Sequence, residues 1–206
     1  MNLKRKFELS VCIALVISIC LSMVSFAKTS ERVREDVLRL HVIANSDSES
    51  DQTLKLKVRD AVLTAGADIF DGSINVDNAV SKITPRLEQI KETAETVIRE
   101  NGLDYDVKVM LSREYFTTRT YDTVTLPAGK YLALRVIIGE GAGHNWWCVM
   151  FPPMCLPAAD KTEKIEEVLS SDEATLVEKN PKYEVRFKVL ELYEELKMKI
   201  NENKGR

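Results

Sequence analysis

The side chains best equipped for chemistry lie in one stretch, GAGHNWWCVMFPPMC, which ends at Cys155. His144, Cys148 and Cys155 are residue types that bind zinc, but their spacings match no known zinc finger and a fourth ligand is not evident. In an exported protein, Cys148 and Cys155 would more commonly form a disulfide. Closing so short a loop stabilises a fold by roughly 2.5 kcal/mol in the chain-entropy model. We therefore expect a Cys148–Cys155 disulfide and no metal.

Both tryptophans of the chain, Trp146 and Trp147, lie in the same stretch. In a strand their side chains point to opposite faces. Two interpretations stay open: both are core residues, or one is core and the other contacts a partner, because tryptophan is enriched at binding hot spots. In the second case Trp147 is the expected buried residue, because its face also carries Val149 and Phe151, and Trp146 is the expected contact.

A polar cluster, SDSESDQ at residues 46–52, superficially resembles the start of a calcium-binding loop. Such a loop needs glycine at its sixth position and glutamate at its twelfth, where this chain has Gln52 and Val58. Ser46 and Glu49 have the spacing of a capping box. The cluster therefore predicts the beginning of a helix.

Three glycines, Gly139, Gly141 and Gly143, form a G-x-G-x-G run after an apolar segment. A dinucleotide fingerprint requires a helix behind the glycines, and here a second apolar, strand-like run follows. We expect a hairpin turn and no cofactor. G-x-S-x-G and H-E-x-x-H motifs are absent from the sequence, while a hydrolase that uses only carboxylates stays an alternative because Asp and Glu are plentiful.

The composition bounds the class of protein that can hold these residues. The chain has 206 residues, of which 45% are hydrophobic, enough for a sizeable core. Its formal net charge is −3, which argues against nucleic acid or anionic lipid as the main partner.

The N-terminus predicts export. Lys4, Arg5 and Lys6 precede an uncharged apolar run at residues 9–24, and small residues, Ser25 and Ala27, follow at the two positions that a signal peptidase requires. This is the pattern of a signal peptide over residues 1–27, cleaved after Ala27; a retained N-terminal anchor is the alternative. Either outcome places the bulk of the chain on the far side of the membrane.

The rest of the sequence predicts a flexible lead-in over residues 28–36 and one domain over residues 37–206. Its fold class is predicted to be α+β, a mostly antiparallel sheet with helices packed on it. Residues 131–138 predict a central strand that forms a hairpin with residues 145–151. The other predicted elements are strands at 37–46, 105–111, 115–126 and 183–187, and helices at 50–70, 76–101 with a break at Pro85, 161–169 and 189–200.

Two segments resemble those of a known family. LRLHVIANSDSESDQTLKLKVRDAV at residues 38–62 and GHNWWCVMFPPMC at residues 143–155 are similar to the signature segments of stage II sporulation protein R of endospore-forming bacteria. LPAGKY at residues 126–131 and EVRFKVLELYEELK at residues 184–197 also fit.

The resemblance implies a signalling protein and not an enzyme. Members are made in the forespore and exported into the space between forespore and mother cell. There they trigger a membrane-embedded aspartic protease of the mother cell, which removes the pro-segment of a sigma factor. The implied partner is this protease, without cofactor, nucleic acid or small-molecule substrate, and membrane contact is made only through the N-terminal segment.

The family has no assigned catalytic residues, so only motif positions are carried over as candidates for partner binding. Two other classes stay open: a secreted, carboxylate-dependent cell-wall hydrolase and a structural protein of the spore envelope. The candidate binding residues are His41, Asn45, Asp47, Asn145, Trp146 and Trp147.

Overall fold

The computed structural model describes residues 3–70, 73–121, 124–154, 168–178 and 183–204. The described helices are α1 (Leu3–Glu35), α2 (Glu49–Phe70), α3 (Val76–Ile83), α4 (Leu87–Glu100), α5 (Ser171–Val177) and α6 (Glu184–Lys204), with a 3-10 turn at Thr84–Arg86. The described strands are β1 (Leu38–Ile43), β2 (Val107–Phe116), β3 (Arg119–Tyr121), β4 (Val124–Leu126), β5 (Gly129–Ile138) and β6 (Asn145–Phe151).

The chain forms two compact units. The sheet unit comprises Arg34–Phe116 and Lys130–Ser171, and the helical unit comprises Met1–Val33, Thr117–Gly129 and Asp172–Arg206. The single domain expected over residues 37–206 stays a prediction.

The sheet unit is built on four strands in the order β2-β5-β1-β6. Strand β1 pairs in parallel with β5 and antiparallel with β6, so the sheet is mixed. The predicted α+β class is confirmed, and so is the central position of β5, which lies between β2 and β1.

The predicted hairpin of β5 and β6 is wrong, because β1 lies between these two strands. Leu40 is opposite Leu134 on one side and Cys148 on the other. All six residues of β1 are buried, including the polar side chains of Arg39 and His41. The glycine run therefore joins two strands that are not neighbours and must cross the end of β1.

Helices α2 and α4 pack together and cover one face of this sheet. The core beneath them is aliphatic because α2 buries one residue per turn, Leu54, Val58 and Val62, as its 3.6-residue period dictates. The same face of the sheet contributes Leu38, Leu40, Val42, Val107, Leu134, Val136, Ile138 and Met150.

The predicted helix breaks and starts are largely confirmed. The helix expected over 76–101 is interrupted by the 3-10 turn that contains Pro85, whose ring cannot fit a continuous helix. Helix α2 begins at Glu49, and Ser48 caps it, since its Oγ accepts a hydrogen bond from Asp51 N at 3.2 Å. The capping residue is thus Ser48 and not Ser46.

In the helical unit, α1 continues through the residues expected to be a flexible lead-in and ends at Glu35. Phe26, just before this segment, is buried against Tyr183 and Phe187, with ring centroids 5.9 Å and 5.3 Å away. One side of the helix is therefore packed against other side chains. Arg32 also forms an ion pair of 3.3 Å with Glu173 of α5. The lead-in is therefore helical to Glu35.

The short strand predicted at residues 183–187 is wrong, because α6 begins at Glu184. The helix predicted at 161–169 lies mostly outside the described residues, since only Val168 and Leu169 of it are described. Residues 4–35 form a helix long and apolar enough to cross a membrane, a property that signal sequences share.

Candidate functional site

Two loops meet at the carboxyl end of β1. The first, residues 44–48, leaves β1, and the second, residues 139–144, connects β5 to β6; together we call them the two-loop junction. Ala142 N donates to Asn45 O at 3.1 Å and Gly143 N donates to Ala44 O at 3.0 Å. Glu140 N donates to the side-chain oxygen of Asn45 at 3.1 Å. These bonds satisfy backbone groups that the ends of the strands would otherwise leave unpaired.

The glycine run serves this close approach. A Cβ at Gly143 would lie 2.2 Å from Ser46 O, and one at Gly139 would lie 2.3 Å from Asn45 Oδ1. Gly139 and Gly141 also have positive φ, at 55° and 64°, a conformation that side chains disfavour. The run is therefore a packing requirement of the junction, which agrees with the absence of a dinucleotide fingerprint in the sequence.

Asp51, in the first turn of α2, holds the first loop in place. Its buried carboxylate accepts hydrogen bonds from Ser46 Oγ at 2.6 Å and Asn45 Nδ2 at 2.9 Å, and the Tyr105 hydroxyl also bonds to it. The Ser46 bond, followed by those from Asn45 and Tyr105, lowers the pKa of Asp51 against the opposing effect of burial. The sequence marks Asp51 only as part of a polar cluster at the start of a helix and does not indicate this role.

Asp47 and His144 clamp the loops together at the surface. His144 N donates to Asp47 Oδ1 at 2.6 Å, and the ring nitrogen Nδ1 contacts the same oxygen. These bonds lower the pKa of Asp47. Both side chains are more than half exposed, so the clamp faces solvent.

Lys55 supports the clamp from helix α2. Its Nζ donates to His144 O at 3.0 Å and to Gln52 Oε1 at 2.5 Å, while Gln52 Nε2 donates to Ser46 O at 2.9 Å. Lys55 is buried, and this burial lowers the pKa of its ammonium group. The helix therefore holds both loops through two adjacent side chains, which no motif in the sequence marks.

His41 and Asn145 join the two strands just before the junction. His41 Nε2 lies 2.8 Å from Asn145 Oδ1, and because an amide oxygen only accepts, the ring nitrogen donates. Burial, and then the charges of Arg135 and Arg39, lower the pKa of His41 against the opposing effect of the Asn145 bond. The ring is thus neutral at pH 7, and its buried Nδ1 has no hydrogen-bond partner among the described residues.

The two tryptophans follow on β6 and are both half-buried. Trp146 packs against the core under α2, with the Arg59 guanidinium 4.4 Å from its ring centroid. Trp147 lies on the other face, with edge-to-face contacts to His41 at 6.0 Å and Phe116 at 5.7 Å. The expected division into one core and one exposed tryptophan is therefore not seen.

The six candidate residues lie together, along the end of β1 and the beginning of β6. The pairing places His41 opposite Trp147, Val42 opposite Trp146 and Ile43 opposite Asn145. Asn45 and Asp47 continue directly into the junction. Their role in binding stays a prediction, but the two sequence segments that suggested it form one continuous structure.

Cys12 and Cys20 are free and exposed. Cys155 lies outside the described residues, so its pairing with Cys148 stays a prediction. Mass spectrometry of the unreduced protein should find residues 148 and 155 in one cross-linked peptide. Two alkylated thiols or bound zinc would contradict the pairing.

The junction presents two ionised carboxylates. Asp47 and Asp51 have lowered pKa values, so both are anions at neutral pH, whereas a general acid needs a raised pKa. Within the described part of the chain, no three His, Cys, Asp or Glu side chains group as metal ligands. The site is a hydrogen-bonded surface of two loops with half-buried aromatic side chains beside it.

The chain combines an apolar N-terminal helix, consistent with a signal segment, with an α+β fold. The chain belongs to the family described as stage II sporulation protein R, whose model matches residues 34–163 and thus covers the whole junction. It is 33% identical over 135 residues to stage II sporulation protein R of Bacillus subtilis (strain 168). That match covers 66% of this chain and 60% of the relative, less than two thirds of the relative's length. No solved structure matches the chain.

Proposed function

We propose that this protein is an exported signalling protein of sporulation. It is made in the forespore, crosses the forespore membrane, and acts in the space between forespore and mother cell. Its partner is a membrane-embedded aspartic protease of the mother cell, whose activation leads to processing of a pro-sigma factor. Family membership supports the link to sporulation, and the apolar N-terminal helix supports export.

The observation that carries the proposal is the two-loop junction. Segments of the sequence about 100 residues apart are joined there by six hydrogen bonds from backbone or side-chain donors, and part of the surface is exposed. A rigid surface loses little conformational entropy when it binds, which favours recognition of a protein partner. We therefore place the contact with the protease at Asn45, Asp47 and Asn145, flanked by Trp146 and Trp147.

A direct test is to produce the full chain together with the candidate protease and its pro-sigma substrate in a host that lacks all three. Cleavage of the pro-segment that requires all three proteins is the expected result. Cleavage of wall or peptide substrates by this protein alone would favour the hydrolase. High copy number in the coat of mature spores, without any effect on processing, would favour a structural role.

A matched pair of variants locates the contact. The double variant Asp47→Ala, His144→Ala removes the exposed clamp. The control, Ser81→Ala with Thr84→Ala, removes two exposed hydroxyl groups from α3 and the 3-10 turn that follows it. Only the first pair should reduce processing if the junction binds the protease. Normal processing by that pair, in a protein with an unchanged melting temperature, would move the contact to another surface.

A further inference from the structure

Helix α6 has two apolar sides, of which only one is covered. Phe187 and Leu190 are buried, and Phe187 packs against Phe26 within the helical unit. On another side of the helix, four aliphatic residues are between 46% and 73% exposed. We call these residues the α6 seam: Val185, Val189, Leu192 and Leu196.

The seam has the spacing of a coiled coil. Its members are four, three and four residues apart, which is the alternation that keeps one stripe of a helix facing a partner helix. The stripe spans about 18 Å at 1.5 Å per residue. Tyr193 and Ile200, also exposed, widen it at one edge. A contiguous apolar stripe of this kind marks an interaction site more often than a solvated surface.

We propose that the seam binds the seam of a second copy of this chain, with the two α6 helices antiparallel. In that arrangement Val185 faces Leu196 and Val189 faces Leu192 of the second copy. Every layer then pairs one valine with one leucine, so the layers have equal volume. A parallel pair would have two Val–Val layers followed by two Leu–Leu layers, which fill space less evenly.

The charges beside the seam favour the same orientation. Lys188 and Glu195 occupy equivalent flanking positions, and antiparallel pairing brings Lys188 of each copy next to Glu195 of the other. The two-fold symmetry repeats this contact, as an isologous dimer requires. In a parallel pair, Lys188 would instead lie beside Tyr193, and no opposite charges would meet across the seam.

A membrane surface is a poorer occupant. Helix α6 carries five basic and five acidic residues, so it has no net charge to attract anionic lipid. Residues of both signs flank the apolar stripe, which suits a partner of mixed charge.

The test uses the full chain in neutral detergent, with mass measured by sedimentation equilibrium. We expect a reversible dimer that Leu192→Glu abolishes, while the control Lys197→Glu, an exposed change on the same helix, leaves it intact. A dimer that persists with Leu192→Glu would have to be held by another element, such as α1, and would overturn the proposal.

A charge exchange distinguishes the loss of a contact between the two copies from a folding defect. Lys188→Glu should weaken dimerisation about tenfold, because two attractive contacts become repulsive. Adding Glu195→Lys to the same chain should restore it. Failure of the double variant to recover would contradict the antiparallel pairing.

Orientation is tested by cross-linking in a Cys12→Ser, Cys20→Ser background. Copies with Lys188→Cys and copies with Glu195→Cys, carrying different tags, should be joined by a short bis-maleimide. If no link forms between them, the arrangement is wrong. If the wild type is a monomer and a fluorophore at Leu192→Cys responds only to phosphatidylcholine vesicles, the seam binds lipid and the proposal fails.

Discussion

Asp51 shows how much of the two-loop junction depends on one buried side chain. Its carboxylate receives hydrogen bonds from both Ser46 and Asn45, the residues that begin the first loop. Charge-assisted bonds of this kind are stronger than neutral ones, and a buried donor that loses its acceptor costs free energy. Asp51 therefore fixes the loop that Asp47 presents at the surface.

We predict that Asp51→Asn lowers the free energy of unfolding by about 2 kcal/mol at pH 7. The amide cannot accept from both donors without turning its own N–H groups toward one of them. Because the pKa of Asp51 is lowered in the folded state, its contribution is present above the unfolded pKa, near 4, and is lost as the pH falls through the folded value. Urea titrations from pH 7 to pH 2.5 should show a steeper acid loss in the wild type than in the variant.

Asp47→Asn is the matched control, since Asp47 also has a lowered pKa but is exposed. It should lower the free energy of unfolding much less than Asp51→Asn does. The loss of stability between pH 7 and pH 2.5 should stay close to that of the wild type. Equal effects of the two substitutions would show that Asp51 does not anchor the loop.

Trp146 and Trp147 provide the second prediction at this scale. Each is half-buried, so truncation to alanine should cost about 2 kcal/mol, less than a fully buried tryptophan. We expect both variants to fold at 25 °C and at least one to lose protease activation while the protein stays folded. The melting temperature of each variant shows whether it folds, and the processing assay shows whether it still activates the protease. Two folded variants that both signal normally would exclude the tryptophans from the contact.

At the scale of elements, the periodic helices could be predicted and the strand order could not. Helix α2 and the break at Pro85 follow from local patterns, the 3.6-residue spacing and the geometry of proline. The position of β1 between β5 and β6 depends on pairing across roughly 100 residues, which no local pattern encodes. The same holds for Lys55, which donates to His144 O of the opposite loop. The bonds of Asp51 to Ser46 and Asn45 are close in sequence, but no local motif marks them.

Two errors have local causes. Residues 183–187 alternate like a strand because α6 is apolar on two sides, so that Val185 is exposed while Phe187 is buried. Residues 28–35 look flexible because they are rich in charge, yet the buried Phe26 and Val33, seven residues apart, form one side of a helix. In both segments the local sequence pattern was ambiguous, and burial of one helix face stabilises the helical conformation.

Gly143→Ala tests the closeness of the two loops. The added methyl would lie 2.2 Å from Ser46 O, a backbone atom that cannot yield without moving the loop. We expect a loss of about 2 kcal/mol in stability and a strong loss of signalling. The measurements are a denaturant titration and the processing assay.

Gly102→Ala is its control. Gly102 has a positive φ of 75°, so alanine there costs about 1 kcal/mol, but nothing lies within 4 Å of the added atom. Signalling should therefore survive. Loss of signalling in Gly102→Ala alone would mean that stability, and not the shape of the junction, limits activity.

At the scale of the whole molecule, the proposed function requires the N-terminal helix to direct export. Helix α1 carries Lys4, Arg5 and Lys6 before an exposed apolar run, the arrangement that export requires. We predict that removal of residues 1–27 leaves the protein in the forespore cytoplasm and stops sigma-factor processing. Cell fractionation and immunoblotting of the pro-sigma factor provide the measurement.

The control for this truncation replaces residues 1–27 with an unrelated bacterial signal peptide. Processing should return, because the proposal requires only delivery across the membrane. If the exchanged signal fails although the protein is exported, residues 1–27 have a further role in the contact itself.

The strand order also has a consequence for the proposed export. Strand β1 comes first along the chain, but both of its neighbours, β5 and β6, follow only after about 90 and 100 intervening residues. Pairings this distant are slow to form, because a long loop must close before any contact is gained. A chain threaded through a membrane from its N-terminus therefore cannot complete the sheet until β6 has emerged on the far side. On the proposed export route, the slow closure of these pairings favours a chain that is still unfolded, and so able to pass the membrane, during translocation.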